Sequence, residues 1–174
     1  MSFIQYLDLV SSLKWHQTDI VNDTLLFEDA NLTISDRFTS GTGADQVNKA
    51  FYTNGELSSG QNLQFDLFSL NRTIFDKQIT TDFSGDNLKL FYVENTSTGV
   101  GQDLFVCATG SGGISHSFGY GYLGWIIKPQ SYSIFFDRNI GYAVNSTARY
   151  FYINDISGNS PSYQIALFGV TTTG

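Results

Sequence analysis

Short stretches in which apolar and polar residues alternate recur along this chain, separated by turn-forming residues. The clearest pair flanks the Asn-, Ser-, Thr- and Gly-rich segment 94–102: Leu88, Leu90 and Tyr92 alternate with their neighbours before it, and residues 104–107 are apolar after it. A two-residue alternation is typical of strands, and the polar segment can reverse the chain at low cost. The pattern predicts a central β-hairpin, which would need a second sheet against its apolar face.

The remaining patterns predict further short strands. Residues 46–57 and 62–68 are predicted to pair about a turn at 58–61, and residues 70–85 to cross from one sheet to the other. Later strands are predicted at 125–128, 132–136, 142–144, 150–153 and 163–170, with Pro129-Gln130 as a turn. Strands at this spacing indicate an all-β fold, and we predict an antiparallel, jelly-roll-like β-sandwich over residues 39–174 with a short N-terminal arm or helix before it.

The N-terminal segment has a different period. Its candidate anchoring residues Phe3, Ile4, Leu7 and Val10 recur at intervals of three and four, which favours a short amphipathic helix or a docking arm. We therefore assign residues 1–38 to an arm and the first strand or strands. An apolar terminal arm can pack on its own domain or on a neighbouring subunit, and the pattern favours neither.

Composition supports the prediction of strands and limits the classes of partner that we expect. Fifteen Phe, ten Tyr and two Trp accompany a charged fraction of only 14%, which suits strands better than long helices. The net charge is −7 and Lys and Arg form no cluster, so we expect no nucleic-acid partner. The N-terminus lacks a basic leader and the length of a membrane span, which predicts synthesis in the cytoplasm and no membrane partner.

Few residues suit catalysis or metal binding. The two histidines, His16 and His116, lack a nucleophile-elbow context, and with the single Cys107 they make a zinc site improbable. We predict a non-enzymatic protein with no catalytic residues, cofactor or metal. Sixteen acidic residues leave a glycosidase-type carboxylate pair as an open alternative.

Aromatic residues and glycines alternate over 116–125. Tyr120, Tyr122 and Trp125 could offer flat faces to a sugar ring or contact a protein partner. The alternative is a loop whose aromatic side chains cap the edge of the sandwich while its glycines permit close backbone approach.

A series of short motifs in fixed order carries a family resemblance. The motifs are Gly-Thr-Gly-Ala-Asp-Gln at 41–46, Phe-Asp-Leu at 65–67, a strand ending in Asn at 88–95, Lys-Pro-Gln at 128–130, Gly-Tyr-Ala-Val at 141–144 and a closing strand at 163–169. In this order, over about three quarters of the chain, they resemble a family of small virion proteins of tailed bacteriophages. Gln130 replaces the usual Gly of that family, and residues 1–38 fall outside the pattern.

The resemblance implies a structural β-sandwich mounted on a phage particle. It would be made in the host cytoplasm, assembled as a homo-oligomer and bound to major capsid or tail and neck proteins. A capsid decoration or auxiliary protein is the role we expect. The alternative is a tail, neck or fibre component that recognises a carbohydrate receptor.

Overall fold

A computed structural model of the chain describes residues 6–21, 24–74, 76–107, 112–113 and 124–172. In these ranges the regular structure is entirely β, and they contain no helix. The strands in chain order are β1 (Tyr6–Val21), β2 (Thr24–Ser40), β3 (Gln46–Val47), β4 (Lys49–Glu56), β5 (Asn62–Asp66), β6 (Leu70–Ile74), β7 (Lys77–Thr81), β8 (Asn87–Asn95), β9 (Leu104–Cys107), β10 (Gly112–Gly113), β11 (Gly124–Ile127), β12 (Ser131–Phe136), β13 (Tyr142–Ala143), β14 (Ala148–Asp155) and β15 (Ser162–Val170).

Two five-stranded sheets form the body of the domain. In sheet I the strands lie in the order β4, β15, β8, and β12 and β13 follow one another along the far edge of β8. In sheet II, β5 and β9 flank β14, β11 lies beyond β9, and β10 also pairs with β14. All these pairings are antiparallel except the short one between β10 and β14.

The two sheets share one core. Phe91 of sheet I lies 4.9 Å from Phe151 of sheet II between ring centroids, and Trp125 of sheet II lies 5.1 Å from Phe135 of sheet I. Along β15, the inward residues Tyr163, Ile165 and Leu167 are buried. Each such side chain contributes about 1.5–3 kcal/mol by leaving water. The prediction of an all-β fold with antiparallel sheets is therefore confirmed, and the meeting of two sheets in one core is compatible with a sandwich.

The predicted central hairpin is wrong in its pairing. Both arms are interior strands, but β8 belongs to sheet I and β9 to sheet II, so residues 96–103 cross between sheets. Asn95 fixes the start of this crossing: its side chain is fully buried, its Nδ2 donates to the carbonyls of Gln102 (2.7 Å) and Ile127 (2.9 Å), and its Oδ1 accepts from the Ser97 N–H. Eight residues easily span the roughly 10 Å between packed sheets.

The turn at 58–61 also joins different sheets. Gln61 N–H donates to the Ser58 carbonyl as predicted, but β4 pairs with β15 whereas β5 pairs with β14. Residues 70–85, predicted as a crossing, contain the two-stranded hairpin of β6 and β7 instead. At 58–61 local sequence locates the reversal but not the partner strands, whereas in 70–85 it does not show the reversal at all.

The helical alternative for the N-terminal segment is wrong from Tyr6 onwards. Residues 6–14 belong to β1, which pairs with β2 over sixteen consecutive residue pairs. The spacing of Leu7 and Val10 resembles a helix, but it arises on a strand whose partner follows after a short connection. Phe3 and Ile4 lie outside the described residues.

Candidate interaction surface

The long two-stranded element formed by β1 and β2, here called the ribbon, is the first candidate surface. At about 3.4 Å per residue its sixteen pairs extend about 50 Å. For comparison, a compact domain of the size of the remaining chain has a radius of gyration of about 14 Å. Beyond β1 and β2 themselves, the ribbon's strand pairing in the described chain is the short parallel contact of Thr39 and Ser40 with β3. Along most of its length, no third strand from the described part of the chain pairs with it.

The register of the ribbon separates apolar from polar positions. In an antiparallel pair, directly opposed residues belong to the same side of the sheet, and the side changes at each residue. One parity is the more apolar: three of its eight pairs are apolar on both strands, Leu7 with Phe38, Leu13 with Leu32, and Trp15 with Ala30, and four others, such as Ser11 with Ile34, have one apolar member. The other parity is mostly polar: Asp8 with Arg37, Ser12 with Thr33, Lys14 with Asn31, and His16 with Asp29.

The base of the ribbon shows which parity meets the domain. Phe38 is fully buried and Leu7 is half-buried, whereas Val10, on the other parity, is 66% exposed. The exposed Arg37 side chain donates to both carboxylate oxygens of Asp8, at 2.6 and 2.9 Å. At its base, the apolar parity therefore packs inward and the polar parity faces solvent.

Arg138 connects the ribbon to the loop that follows it. Its Nε donates to Asp45 at 2.6 Å and its Nη1 to Asp36 of β2 at 3.0 Å, and these carboxylates, Asp45 foremost, raise the pKa of Arg138. Because these ion pairs are exposed to solvent, which screens them, they orient the ribbon more than they stabilise it.

The loop carrying Arg138 is itself held from inside the domain. Lys89, 1% exposed, donates its Nζ to the Asn139 carbonyl at 2.5 Å, and burial lowers the pKa of Lys89. The Asp137 carboxylate accepts the N–H groups of Asn139 and Ile140. The direction in which the ribbon leaves the domain is therefore tied to the core through a chain of hydrogen bonds.

The outer face of sheet I, opposite the core, is the second candidate surface. The registers of β4, β15, β8 and β12 place one row of residues directly across the sheet: Tyr52, Ala166, Tyr92 and Ile134. Against this face lies an apolar groove of about 290 Å³, lined by Leu7, Asp8, Val10, Leu90, Tyr92, Tyr132, Ile134, Ala166 and Phe168. The predicted anchoring residues Leu7 and Val10 are thus brought onto a surface of sheet I.

Two tyrosines give the groove its polar edge. The Tyr92 hydroxyl donates to Glu94 Oε2 at 2.6 Å, and the Tyr132 ring lies 5.6 Å from the Tyr92 ring between centroids. Burial, followed by the hydrogen bond to Glu94, raises the pKa of Tyr92. Tyr132 is 57% exposed while Leu90 is buried, so the apolar face is covered at one end and open at the other.

The sequence pattern did not indicate a surface role for the outer-face residues Tyr92, Tyr132, Ile134 and Phe168. A signal was present, because β8 and β15 carry apolar residues on both faces, which one shared core does not require. That excess could have indicated a second packing surface on sheet I.

Of the three residues predicted to contact a glycan or partner, the described chain contains Trp125. It is half-buried at the margin of the core with its ring against Phe135, and its Nε1 is buried without a hydrogen-bond partner. Tyr120 and Tyr122 lie outside the described residues, so whether the three form a stacking platform stays a prediction. Cys107, the single cysteine, is half-buried in β9.

No cluster of three or more His, Cys, Asp or Glu side chains suited to a metal ion occurs among the described residues. Over those same ranges, no helix is long and apolar enough to cross a membrane. No family model, curated protein or solved structure matches the chain.

Proposed function

We propose that this chain is a non-enzymatic structural protein that assembles through its ribbon, and that it does so as a homo-oligomeric capsid decoration or auxiliary protein of a tailed-phage virion. The observation that carries the assembly role is the apolar parity of the ribbon, which begins at the buried Phe38 and continues through Ile34 and Leu32. We further propose that the two sheets form a β-sandwich of the jelly-roll type.

An extended two-stranded ribbon needs further contacts to be stable. A two-stranded hairpin alone in water is marginally stable, and an apolar side must be covered by something. The ribbon is about 50 Å long, and the contacts described between it and the domain lie at its base, at Leu7, Asp36 and Thr39 among others. A neighbouring copy of the chain is the cover that we propose for the rest. Exchange of such arms between identical subunits is a common way to build closed oligomers.

The virion part of the proposal rests on the resemblance. Its motifs coincide with features that define the fold. The motif at 41–46 forms the tight loop behind the ribbon, where Gln46 Oε1 accepts the Gly43 N–H at 2.6 Å. Asn95 ends β8, and the turn at Pro129 and Gln130 connects the sheets. Such features suit a structural protein that acts through its surfaces.

Copy number in purified particles of the encoding phage, determined by quantitative mass spectrometry, tests the proposal. We expect a number comparable with that of the major shell protein. A handful of copies would instead favour the alternative, a tail, neck or fibre component with a carbohydrate-binding role for Tyr120, Tyr122 and Trp125. Complete absence of the chain from particles would overturn the virion proposal.

A further inference from the structure

A second cleft lies at the opposite edge of sheet I from the apolar groove. It has a volume of about 410 Å³ and is lined by residues of β4 and of the β6–β7 hairpin: Tyr52, Thr53, Asn54, Asn71, Arg72, Thr73 and Gln78. This volume lies in the range of about 300–1,000 Å³ typical of small-molecule sites, but its lining is dominated by hydroxyl, amide and guanidinium groups. None of these described lining residues is a carboxylate. The cleft therefore suits a ligand rich in hydrogen-bonding groups.

Tyr52 supplies a flat apolar surface within the cleft. The side chain is 45% exposed, and its hydroxyl donates to Gln164 Oε1 on the adjacent strand at 3.1 Å. That hydrogen bond fixes the ring on the outer face of the sheet before any ligand arrives. A fixed aromatic face beside amide groups is an arrangement to which a pyranose ring can bind through its apolar C–H surface.

Arg72 supplies an unused donor. Its Nε is buried and has no hydrogen-bond partner, and the side chain of its cross-strand neighbour Ile79 offers only apolar atoms. An unpaired buried polar group costs roughly 1–3 kcal/mol and calls for an explanation. Because that Nε has almost no accessible surface, a ligand oxygen, from a hydroxyl or a carboxylate, would meet the outer NH₂ groups of the same guanidinium, which carries five N–H donors in all and lines the cleft.

The amides beside Arg72 extend the set of donors. Asn71 Oδ1 accepts the Thr80 hydroxyl at 2.6 Å, which orients the amide and leaves its NH₂ group as the one it can offer to a ligand. Gln78, directly opposite Thr73 in the hairpin, and Asn54 of β4 provide further amides along the cleft.

We propose that this cleft binds a pyranose residue of an oligosaccharide, with its ring stacked on Tyr52 and its hydroxyl or carboxylate oxygens bonded to Arg72 and the flanking amides. The site is distinct from the stretch containing Tyr120, Tyr122 and Trp125. It does not depend on the virion role, because none of its residues belongs to the ribbon.

A glycan array carrying neutral and uronic-acid-containing oligosaccharides, probed with the full chain, tests this site, followed by calorimetric titration with the best-bound member of each class. We expect retention of at least one class. Tyr52→Ala should weaken binding at least tenfold, and Tyr132→Ala, which removes an exposed tyrosine from the same sheet outside the cleft, should change it less than twofold. Arg72→Gln should weaken binding of uronic acids more than that of neutral sugars if the carboxylate is the acceptor, and both equally if a hydroxyl is.

Thermal unfolding of each variant verifies its fold, and Gln78→Ala, a change at an exposed position, replaces Tyr52→Ala if the latter is unfolded. Retention of no oligosaccharide would overturn the proposal. Binding that survives Tyr52→Ala, Gln78→Ala and Arg72→Gln would overturn it as well. Failure of the copy-number test would leave these expectations unchanged, so the two proposals fail separately.

Discussion

The Asp155 carboxylate organises the loop between β14 and β15. Although buried, it accepts the backbone N–H groups of Gly60, Ser157, Gly158 and Ser160 at 2.9–3.1 Å, together with the Ser157 hydroxyl at 2.7 Å. Burial acts to raise the pKa of Asp155, but the hydrogen bonds from Ser157, Gly60 and Ser160 outweigh it and hold that pKa well below its ordinary value.

The contribution of Asp155 to the free energy of unfolding should depend on pH. A folded-state pKa below the unfolded value of 3.8 means that the stabilisation is fully present above about pH 4 and is lost as the pH falls further. Asp155→Asn should lower the free energy of unfolding by roughly 1–3 kcal/mol at pH 7 and by clearly less at pH 3, measured by urea denaturation. Asp76→Asn, at an exposed turn position, is the control. An equal loss at both pH values would contradict this account.

Gln130 occupies a backbone conformation that favours glycine. Its φ is +59°, and its N–H donates to the Asn95 carbonyl at 2.9 Å. The left-handed region costs a non-glycine residue roughly 1–2 kcal/mol, part of which glycine returns as greater freedom in the unfolded chain. A Gly at this position would therefore be free of that strain.

We therefore expect Gln130→Gly to raise the free energy of unfolding by about 0.5 kcal/mol, since the backbone hydrogen bond is kept and the strain is removed. Chemical denaturation of this variant beside Gln130→Ala checks it, because Ala retains the strain. The explanation fails if the glycine variant is no more stable than the alanine variant.

At the residue scale, sequence reasoning indicated some of the residues on the candidate surfaces and not others. Leu7 and Val10 stand out in the sequence through their spacing of three, and the structure places both beside sheet I, while their anchoring role stays a prediction. Tyr52 and Arg72 were missed because each looks ordinary in its own strand, and only the approach of the β6–β7 hairpin to β4 makes them neighbours.

At the scale of elements, alternation identified strands but did not determine their partners. β8 and β9 follow each other around a polar connection, which is the local pattern of a hairpin, yet each pairs with strands distant in sequence. Both are interior strands with neighbours on both edges, and local alternation does not show that they belong to different sheets. The strands on either side of the turn at 58–61 likewise pair with different sheets, β4 with β15 and β5 with β14.

The ribbon shows how a helical spacing can belong to a strand. The intervals of three and four at Phe3, Ile4, Leu7 and Val10 involve few residues, whereas the two-residue parity is sustained through Leu13 and Trp15 and is matched by β2. A pairing of sixteen residues outweighs a weak amphipathic pattern. From sequence alone the match was hidden, because the pairing depends on the register between two segments.

At the scale of elements, we predict that the domain stays folded when most of the ribbon is removed. Replacing residues 12–33 by Asn-Gly closes the ribbon after the pair Ser11 and Ile34, which has the same parity as its present last pair, Val21 and Thr24. This shortened variant keeps Phe38 and the Arg138 ion pairs. We expect its free energy of unfolding to stay within about 1 kcal/mol of the parent, because the core is untouched. A cooperative loss of the whole fold would show that the ribbon is part of the core instead.

At the scale of the whole molecule, composition predicted the all-β fold class but not the order of strands within each sheet. Many aromatic residues, few charges and closely spaced turns indicated an all-β protein, and burial in the shared core of sheets I and II agrees with that. The order of strands within each sheet depends on contacts across more than a hundred residues, such as β4 with β15. No local pattern carries that information.

The two proposed activities occupy different parts of the same molecule. The ribbon base and the apolar groove lie at the β12 side of sheet I, and the polar cleft lies at its β4 edge. An assembly that covers the ribbon would therefore leave the cleft open to a ligand. With a net charge of −7, exposed surface on such an assembly would also resist non-specific association with other acidic surfaces.

The most direct test of the central claim compares particles produced with the full chain and with the shortened variant, each quantified by mass spectrometry against the major shell protein. We expect the full chain to be incorporated at a fixed ratio to the shell protein. The shortened variant, folded and present in the same lysate, should be incorporated at a ratio at least tenfold lower. Incorporation of the shortened variant at the full ratio would contradict assembly through the ribbon.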